Sequence, residues 1–481
     1  MKNFKRFLAL TLATATVATM AAGCGAKNST ASAAESAAPA AASSEAAASS
    51  AASAAETKQA GGELYYLNFK PEIADVYTKI GEEYKKETGV TLKVVTAASG
   101  TYEQTLRSEL AKSDPPVLFQ INGPKGYGNW QDYCKDLKDT ELYKHLTDKT
   151  MAVTSGDGVY GIPYSVEGYG IIYNNAIMSK YFALDGAKAK SMDEIKGFAK
   201  LKEVVQDMTA KKDKLGIKGV FAATSLKKGE DWRWQTHLFN VPLFYEFRDN
   251  KTDLKDVNAT NEIKFQNSDN YKNIFDLYLQ NSTIDPKKTG TKIVDESMAE
   301  FALGRCAMVQ NGNWAWGQVS GVKGNTVQEG DIKFLPIYTG MQGEEKQSIC
   351  VGTENFFCVN SKAPADKQKL AEDFIYWLYS SEKGKAFVTN DLKFIAPFDT
   401  FSETERPTDP LAKEVIRYMS NADLYNVPWT AFQMIPNQPY KDALGAALLQ
   451  YAQGTKKWDD VKKFAVDNWK VENAKNKTVA K

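Results

Sequence analysis

The chain has 481 residues with 60 Lys+Arg against 59 Asp+Glu, and its formal net charge of +1 removes the electrostatic case for a nucleic-acid partner. Only two histidines occur, His145 and His237, which argues against a zinc site or a histidine base and leaves a carboxylate enzyme open. Aromatic residues make up 11% of the chain (23 Tyr, 23 Phe, 9 Trp), enough to serve a core and also to supply flat rings to a ligand.

The opening residues MKNFKRF carry three positive charges, and an apolar stretch follows over 8–20. Charge followed by a short apolar run is the layout of a secretory signal. The run is shorter than the roughly 20 apolar residues that a membrane span needs. It ends in Met20-Ala21-Ala22-Gly23-Cys24, which resembles the bacterial lipobox, whose cysteine is lipidated and becomes the new N-terminus. The plainer reading is a cleaved signal with an incidental cysteine. A lipid anchor holds by its buried methylenes, about 0.8 kcal/mol each, and needs no spanning helix. Residues 29–60 are nearly all Ala and Ser, too poor in apolar surface to offset the entropy of ordering, and read as a tether. From Cys24 to Gly61 its coil size is on the order of 30–35 Å. The expectation is a signal peptide over 1–23, a tether over 24–61, and a body on the extracellular face of a Gram-positive cell membrane.

Roughly 420 residues remain, a length suited to two or three domains. Leu64-Tyr65-Tyr66-Leu67 reads as a strand buried on both faces. Ile73, Val76, Tyr77, Ile80 and Tyr84 recur at helical spacing, and Gly89 stands where a C-terminal cap belongs. A second strand runs from Thr91 to Val95. A helix through Leu106 and Leu110 breaks at Pro115-Pro116, and Val117 to Ile121 form a third strand. This alternation predicts a parallel sheet with right-handed crossovers. The pattern recurs: a helix with Met298, Phe301 and Ala302 ends at Gly304, and Arg305 to Val309 form a strand. Leu370, Phe374, Trp377 and Leu378 line another helix. Leu444, Leu448 and Tyr451 share a face closed by Gly454, and Trp458, Val461, Phe464 and Asn468 begin the last helix. Two α/β lobes are expected. Cys134, Cys306, Cys350 and Cys358 show no C-x-x-C spacing. An extracellular location permits disulfides; the pairing is not readable from spacing, and buried free thiols fit equally well.

Several blocks resemble the family of bacterial solute-binding proteins that includes maltose-binding protein. ELYYLNFKPE and GEEYKKETGVTLKVV are similar to that family's first strand, helix and second strand. GVYGIPYSVEGYGIIYNN (158–175) resembles its first interlobe crossing, and FALGRCAMVQNGNWAW (301–316) its helix–strand–Trp block. ICVGTENFFCVNSKAP and FIYWLYSSEKGKAF resemble the return crossing and its helix. The blocks follow family order from Glu63 to about Trp469. The resemblance implies a two-lobed type II binding-protein fold, each lobe a mainly parallel sheet flanked by helices, joined by crossing hinge strands. The lobes would be 62–166 plus 350–402 and 167–349 plus 403–481. It implies a monomer that captures a mono- or oligosaccharide between the lobes, closes around it and delivers it to the permease subunits of an ABC importer, with no cofactor and no metal.

A sugar presents apolar C–H faces and a rim of hydroxyls, so its site wants aromatic plates and a few polar groups. In α/β sheets such groups come from loops after strand C-termini. By resemblance, Trp314 is the stacking tryptophan, against the alternative of a core residue; Trp316 is expected to pack inward. Asp231-Trp232-Arg233-Trp234 falls where the family places aromatic contacts, so Trp232 or Trp234 is expected to meet ligand, with Trp232 favoured. Arg233 would lie in the mouth or in solvent. Glu167, in the crossing, matches a sugar-contacting acid; the alternative is a hinge residue bonded to backbone. Asn68 and Lys70 after the first strand, and Asn122 and Tyr127 after the third, are candidates by position, against turn or capping roles. The maltose-binding branch has charged groups at that third-strand loop where this chain has Asn122-Gly123-Pro124-Lys125. Trp429 and Phe432, in NVPWTAF, match a late loop that offers an aromatic. A phosphorylated polyol, a uronate or a peptide is the alternative ligand class, and only Lys70, Lys125 and Arg233 are available to an anion. A glycoside hydrolase needs two carboxylates about 5–10 Å apart, which abundant acids do not by themselves indicate; no G-x-S-x-G, H-E-x-x-H or P-loop pattern occurs.

Overall fold

The structure, a computed structural model, describes residues 61–479 except 99, 255 and 257. The signal segment, Cys24 and the tether to residue 60 lie outside the described residues.

Twelve strands among the described residues form two six-stranded sheets. The first has the order β2 (Thr91–Thr96), β1 (Glu63–Asn68), β3 (Leu118–Ile121), β11 (Phe356–Val359), β5 (Gly158–Pro163), β4 (Val153–Ser155). The second has the order β12 (Tyr425–Val427), β10 (Gln347–Gly352), β6 (Glu167–Asn174), β8 (Cys306–Gly312), β7 (Gly219–Phe221), with β9 (Ile332–Leu335) also on β6. The expected β-α-β-α-β opening is present: β1 pairs in parallel with both β2 and β3. The connecting helices are Ala74–Thr88 and Tyr102–Leu110. Gly89 ends the first of these in the left-handed region at φ 80°, its N–H bonded to the Lys85 carbonyl.

Mainly parallel sheets were expected, and both sheets are mixed. β11 runs antiparallel to β3 and β5, and β6 runs antiparallel to β8, β9 and β10. The cause is the chain path. It leaves the first sheet through 164–166 into β6 and returns from β10 through 353–355 into β11, and strands inserted from such crossings are not bound by the parallel βαβ rule. The second sheet's share of this stretch ends with β10 at Gly352, and the first sheet's begins with β11 at Phe356.

Each sheet is covered on both faces. Tyr66, Tyr77, Ile80, Phe357 and Phe374 pack on one face of the first sheet, and Leu67, Leu106, Phe119 and Cys358 on the other. Tyr169, Phe221, Tyr278 and Trp469 belong to one core of the second sheet, and Ile172, Phe301, Val309 and Val415 to the other. Cys134, Cys306, Cys350 and Cys358 are buried free thiols. No helix among the described residues is long and apolar enough to cross a membrane.

Candidate ligand-binding site

The turn after β1 sets the position of Lys70. The Asn68 side chain accepts from the Lys70 N–H (3.2 Å) and donates to the Lys70 carbonyl (2.7 Å) and to Thr96 Oγ1 (3.2 Å). Asn68 thus spends its hydrogen bonds on shaping the turn. The Lys70 ammonium then reaches the second sheet: its Nζ lies 2.9 Å from Glu167 Oε1, 3.5 Å from Glu72 Oε1 and 5.3 Å from the centre of the Trp314 ring. Burial disfavours the ammonium, but the attraction of Glu167, Glu72 and Glu354 outweighs it and Lys70 stays charged. Burial pushes the Glu167 carboxyl up while Lys70 pulls it down.

Glu167 opens β6, and the next residue ties it to Trp314. Asn313 Oδ1 accepts from the Gly168 N–H at 2.9 Å, and the Asn313 N–H donates to the Gly168 carbonyl at 2.9 Å. Trp314 follows at the start of the helix Ala315–Ser320, and its ring folds back over the end of β8. A Cβ at Gly312 would sit 2.1 Å from Trp314 Cζ3, so this packing requires glycine there. Gly352, at the end of β10, does the same for Trp429: a Cβ would meet its Cγ at 2.7 Å. Each tryptophan rests on a glycine at the end of a strand.

Behind Trp314 the rings form one cluster around His237. The imidazole stacks on Tyr169 at 4.4 Å and lies 5.2 Å from Trp232, 5.4 Å from Trp314, and 5.7 Å from both Trp429 and Phe432. Burial, then the charges of Lys70, Lys441 and Arg233, hold His237 well below its usual range, so the ring is neutral. His237 is carried by a π-helical turn, Arg233–Leu238, a form that recurs at functional sites. No sequence motif marks His237 or Tyr169 as part of a site. The signal present was the short spacing from Trp232 to His237, which one wide turn brings to the same side.

A cavity of about 390 Å³ opens at the front of this arrangement, lined by Lys70, Glu72, Glu167, Asn313, Trp314 and Gln318 among others. That volume lies within the usual range of small-molecule sites. A second, larger cavity of about 1480 Å³ is lined by Tyr127, Lys125, Trp429 and Gln433 among others.

Of the residues singled out in the sequence, Lys70, Glu167 and Trp314 line the smaller cavity together, and Trp232, Trp429 and Phe432 join the ring cluster behind it. Trp234 is placed elsewhere: it is buried in the core against Phe275 and Tyr278, and its indole N–H donates to the Ser225 carbonyl at 2.8 Å. Arg233 lies neither in the mouth nor in solvent. It is 1% exposed and donates to the Gln310 carbonyl and the Ser225 and Ser297 hydroxyls. Hydrogen bonding to backbone and hydroxyl groups makes that burial tolerable. Tyr127 stacks on Tyr160 at 4.6 Å beside the larger cavity. Asn122 precedes the helix Gly123–Trp130 and leaves its Oδ1 buried without a partner. Trp316 packs inward, as expected. No group of three or more His, Cys, Asp or Glu among the described residues is arranged to hold a metal.

The family model described as bacterial extracellular solute-binding protein matches residues 79–415, and the chain belongs to that family. Among solved structures, the chain is similar to a chitin oligosaccharide binding protein, with 17% identity, a TM-score of 0.65, and 87% of this chain and 100% of that one covered. It is similar to a sugar transporter protein from Bacillus licheniformis solved with stachyose, with 17% identity, a TM-score of 0.64, and 85% and 100% coverage. It is also similar to RafE solved with raffinose, with 16% identity, a TM-score of 0.62, and 85% and 99% coverage. At these identities the likeness establishes the two-lobed fold. A search of curated proteins found no match.

Proposed function

We propose that this extracellular solute-binding protein captures a carbohydrate in the cavity beside Trp314 and passes it, chemically unchanged, to the permease of an ABC importer. The carrying observation is the placement of a half-buried indole beside a buried Lys70–Glu167 pair on one 390 Å³ cavity. The indole offers a flat apolar face for the C–H side of a pyranose. Glu167 accepts hydrogen bonds from hydroxyls with charge assistance, Lys70 donates, and Asn313 supplies an amide. The groups come from both sheets, so ligand bridging them favours the form in which the two halves are together. The sugar ligands of the similar structures support this reading. The lobes are read as 62–166 plus 350–402 and 167–349 plus 403–481, with the end of β10, Cys350–Gly352, going to the second half by its sheet. Cys24 carries the lipid anchor, and the Ala/Ser-rich segment holds the body off a Gram-positive membrane.

The test is titration calorimetry against raffinose, stachyose, malto-oligosaccharides and chitin oligosaccharides, with the sugar recovered afterwards and chromatographed. Saturable binding of at least one glycan, recovered intact, is expected. Binding of none, or cleavage of the bound one, overturns the reading.

A further inference from the structure

The segment 391–394, from the first half, lines the cavity beside Trp314, and its backbone holds one residue in an unusual state. The helix Glu382–Ala386 runs on into a π-helical turn, Phe387–Asp391, and ends there. The Leu392 N–H donates back to the Phe387 carbonyl at 2.8 Å, and the Phe394 N–H to the Val388 carbonyl at 2.9 Å. One residue on, the Ile395 carbonyl accepts from the Val166 N–H of the first crossing at 2.8 Å. Leu392, Phe394 and Ile395 are buried. The chain is pinned on both sides, and the reversal falls on Lys393, which takes the left-handed state at φ 58°. A Cβ is crowded in that state, so helices commonly end on glycine there, as this chain does at Gly89 and Gly216. Lysine therefore occupies a position where glycine would fit better. Its side chain is half-buried, and its ammonium enters no hydrogen bond or ion pair among the described residues. Lys70, the other cation on the cavity wall, is held by Glu167 and Glu72. Asp295 and Asp391 line the same cavity without pairing with Lys393; Asp295 instead accepts from Gln318 Nε2 at 3.1 Å. Asp409 feels the charge of Lys393 without bonding to it, and its Oδ1 accepts from the Ala412 N–H at 2.9 Å.

We propose that Lys393 is a ligand-contacting residue, kept in a strained backbone state because its ammonium donates to oxygen atoms of the bound glycan. This rests on the carbohydrate reading above and adds a donor which that reading lacks. An ammonium has three donors and no acceptor, so the hydroxyl, ring and carbonyl oxygens of a sugar are its partners. Its charge makes such bonds about twice as strong as neutral ones. Lys393 belongs to the first half and Trp314 to the second, so a glycan held by both is bound from both sides. A helix stop alone has no need of the side chain, and glycine would end the helix with less strain. Strain retained on the wall of a ligand cavity is stability given up for function.

The experiment uses the full chain as Lys393→Gly and Lys393→Met, with Lys251→Gly as the control. Lys251 takes the same backbone state (φ 51°) after the helix Phe239–Asp249, is exposed, and lines neither cavity. Calorimetry with raffinose, stachyose, maltotriose and an N-acetylglucosamine trimer reads affinity, and thermal melting without ligand reads stability. The expected result is a rise in Tm of roughly a degree or more for both glycine variants. Lys393→Met should melt as wild type does. Both Lys393 variants should lose about fivefold or more in affinity for the glycan that binds wild type best, and Lys251→Gly should lose none. If the Lys393 variants keep their affinity within that factor, Lys393 only ends a helix and the proposal is overturned. A Lys393→Gly variant no more stable than wild type, or a Lys393→Met variant less stable, would make the lysine a structural partner of its surroundings and overturn it as well. In each case the carbohydrate reading survives. If none of the four glycans binds the wild-type chain, that reading falls and takes this one with it.

Discussion

The Lys70 ammonium and the Glu167 carboxylate, 97 residues apart in sequence, meet at 2.9 Å with both side chains buried. Lys70 belongs to the turn after β1 in the first sheet, and Glu167 is the first residue of β6 in the second. The pair therefore joins the two halves of the molecule in the wall of the cavity.

That pair carries a stability prediction. Lys70→Met leaves the Glu167 carboxylate buried without its partner, which costs about 3–5 kcal/mol when such a pair is broken on one side. The double variant Lys70→Met/Glu167→Gln removes the stranded charge and should recover most of the loss. Urea denaturation of the three proteins measures this; a Lys70→Met midpoint equal to wild type would refute the pairing.

Trp314→Ala should remove most ligand affinity, roughly 2–4 kcal/mol by comparison with aromatic hot spots. The ring rests on Gly312 and borders the cavity, so folding should change little. Calorimetry with the best glycan and a thermal melt read the two effects separately. A loss below threefold would place the ligand elsewhere.

A contact remote from the cavity should tune affinity. Glu103, on the helix Tyr102–Leu110 packed on the first sheet, accepts from the Gln438 N–H at 3.2 Å, at the first turn of the helix Gln438–Ala452 packed on the second. A carboxylate at a helix N-terminus contributes about 0.3–1 kcal/mol. That stabilisation acts only while the halves are together, so Glu103→Ala should weaken ligand binding about two- to fivefold. Small-angle scattering of the ligand-free variant should show a larger radius of gyration than wild type, and unchanged scattering and affinity would sink the idea.

Asp231 makes stability depend on pH in a defined direction. Burial pushes its carboxyl up to about 7 from the ordinary value of 3.8, with Asp442 adding to the rise and bonds from its own and the Gly229 N–H opposing it. A raised acid is stabilising in its protonated form. Its contribution is therefore complete below about pH 4 and is lost as the pH rises through 7. Asp231→Asn should melt a few degrees above wild type at pH 8 and converge with it near pH 4. A constant difference across that range would show that the carboxyl is ionised throughout.

Burial pushes the Cys350 thiol up to about 12 and also holds Cys306 and Cys358 well above their ordinary range. All four cysteines are buried, and buried structural thiols are inert to reagents in solution. Ellman's reagent should therefore label none of Cys134, Cys306, Cys350 and Cys358 in the folded protein and all of them in guanidinium; rapid native labelling would contradict the packing.

Much of the fold was legible in the sequence, because local patterns encode it. The apolar run at Leu64–Leu67, the helical spacing from Ile73 to Tyr84 and the stop at Gly89 predict β1, the first helix and its cap within a residue or two. Period and capping act over a few residues, so they survive in one dimension. Strand direction does not: β10 and β11 read as ordinary strands, and only the route of the chain between the sheets makes them antiparallel to β6 and β3.

For the site, the sequence by itself determined which chemistry was available: tryptophans after strand ends, an acid in a crossing, and a lysine after the first strand. The tertiary structure decided which of these meet. Trp232 and Trp234 are indistinguishable in the motif Asp-Trp-Arg-Trp, yet a π-helical turn sends the first toward His237 and the second into the core. Lys70, Glu167 and Trp314 converge because two sheets and a crossing bring together positions as much as 244 residues apart. Contacts at that separation depend on the packing of whole layers, and no local period records them.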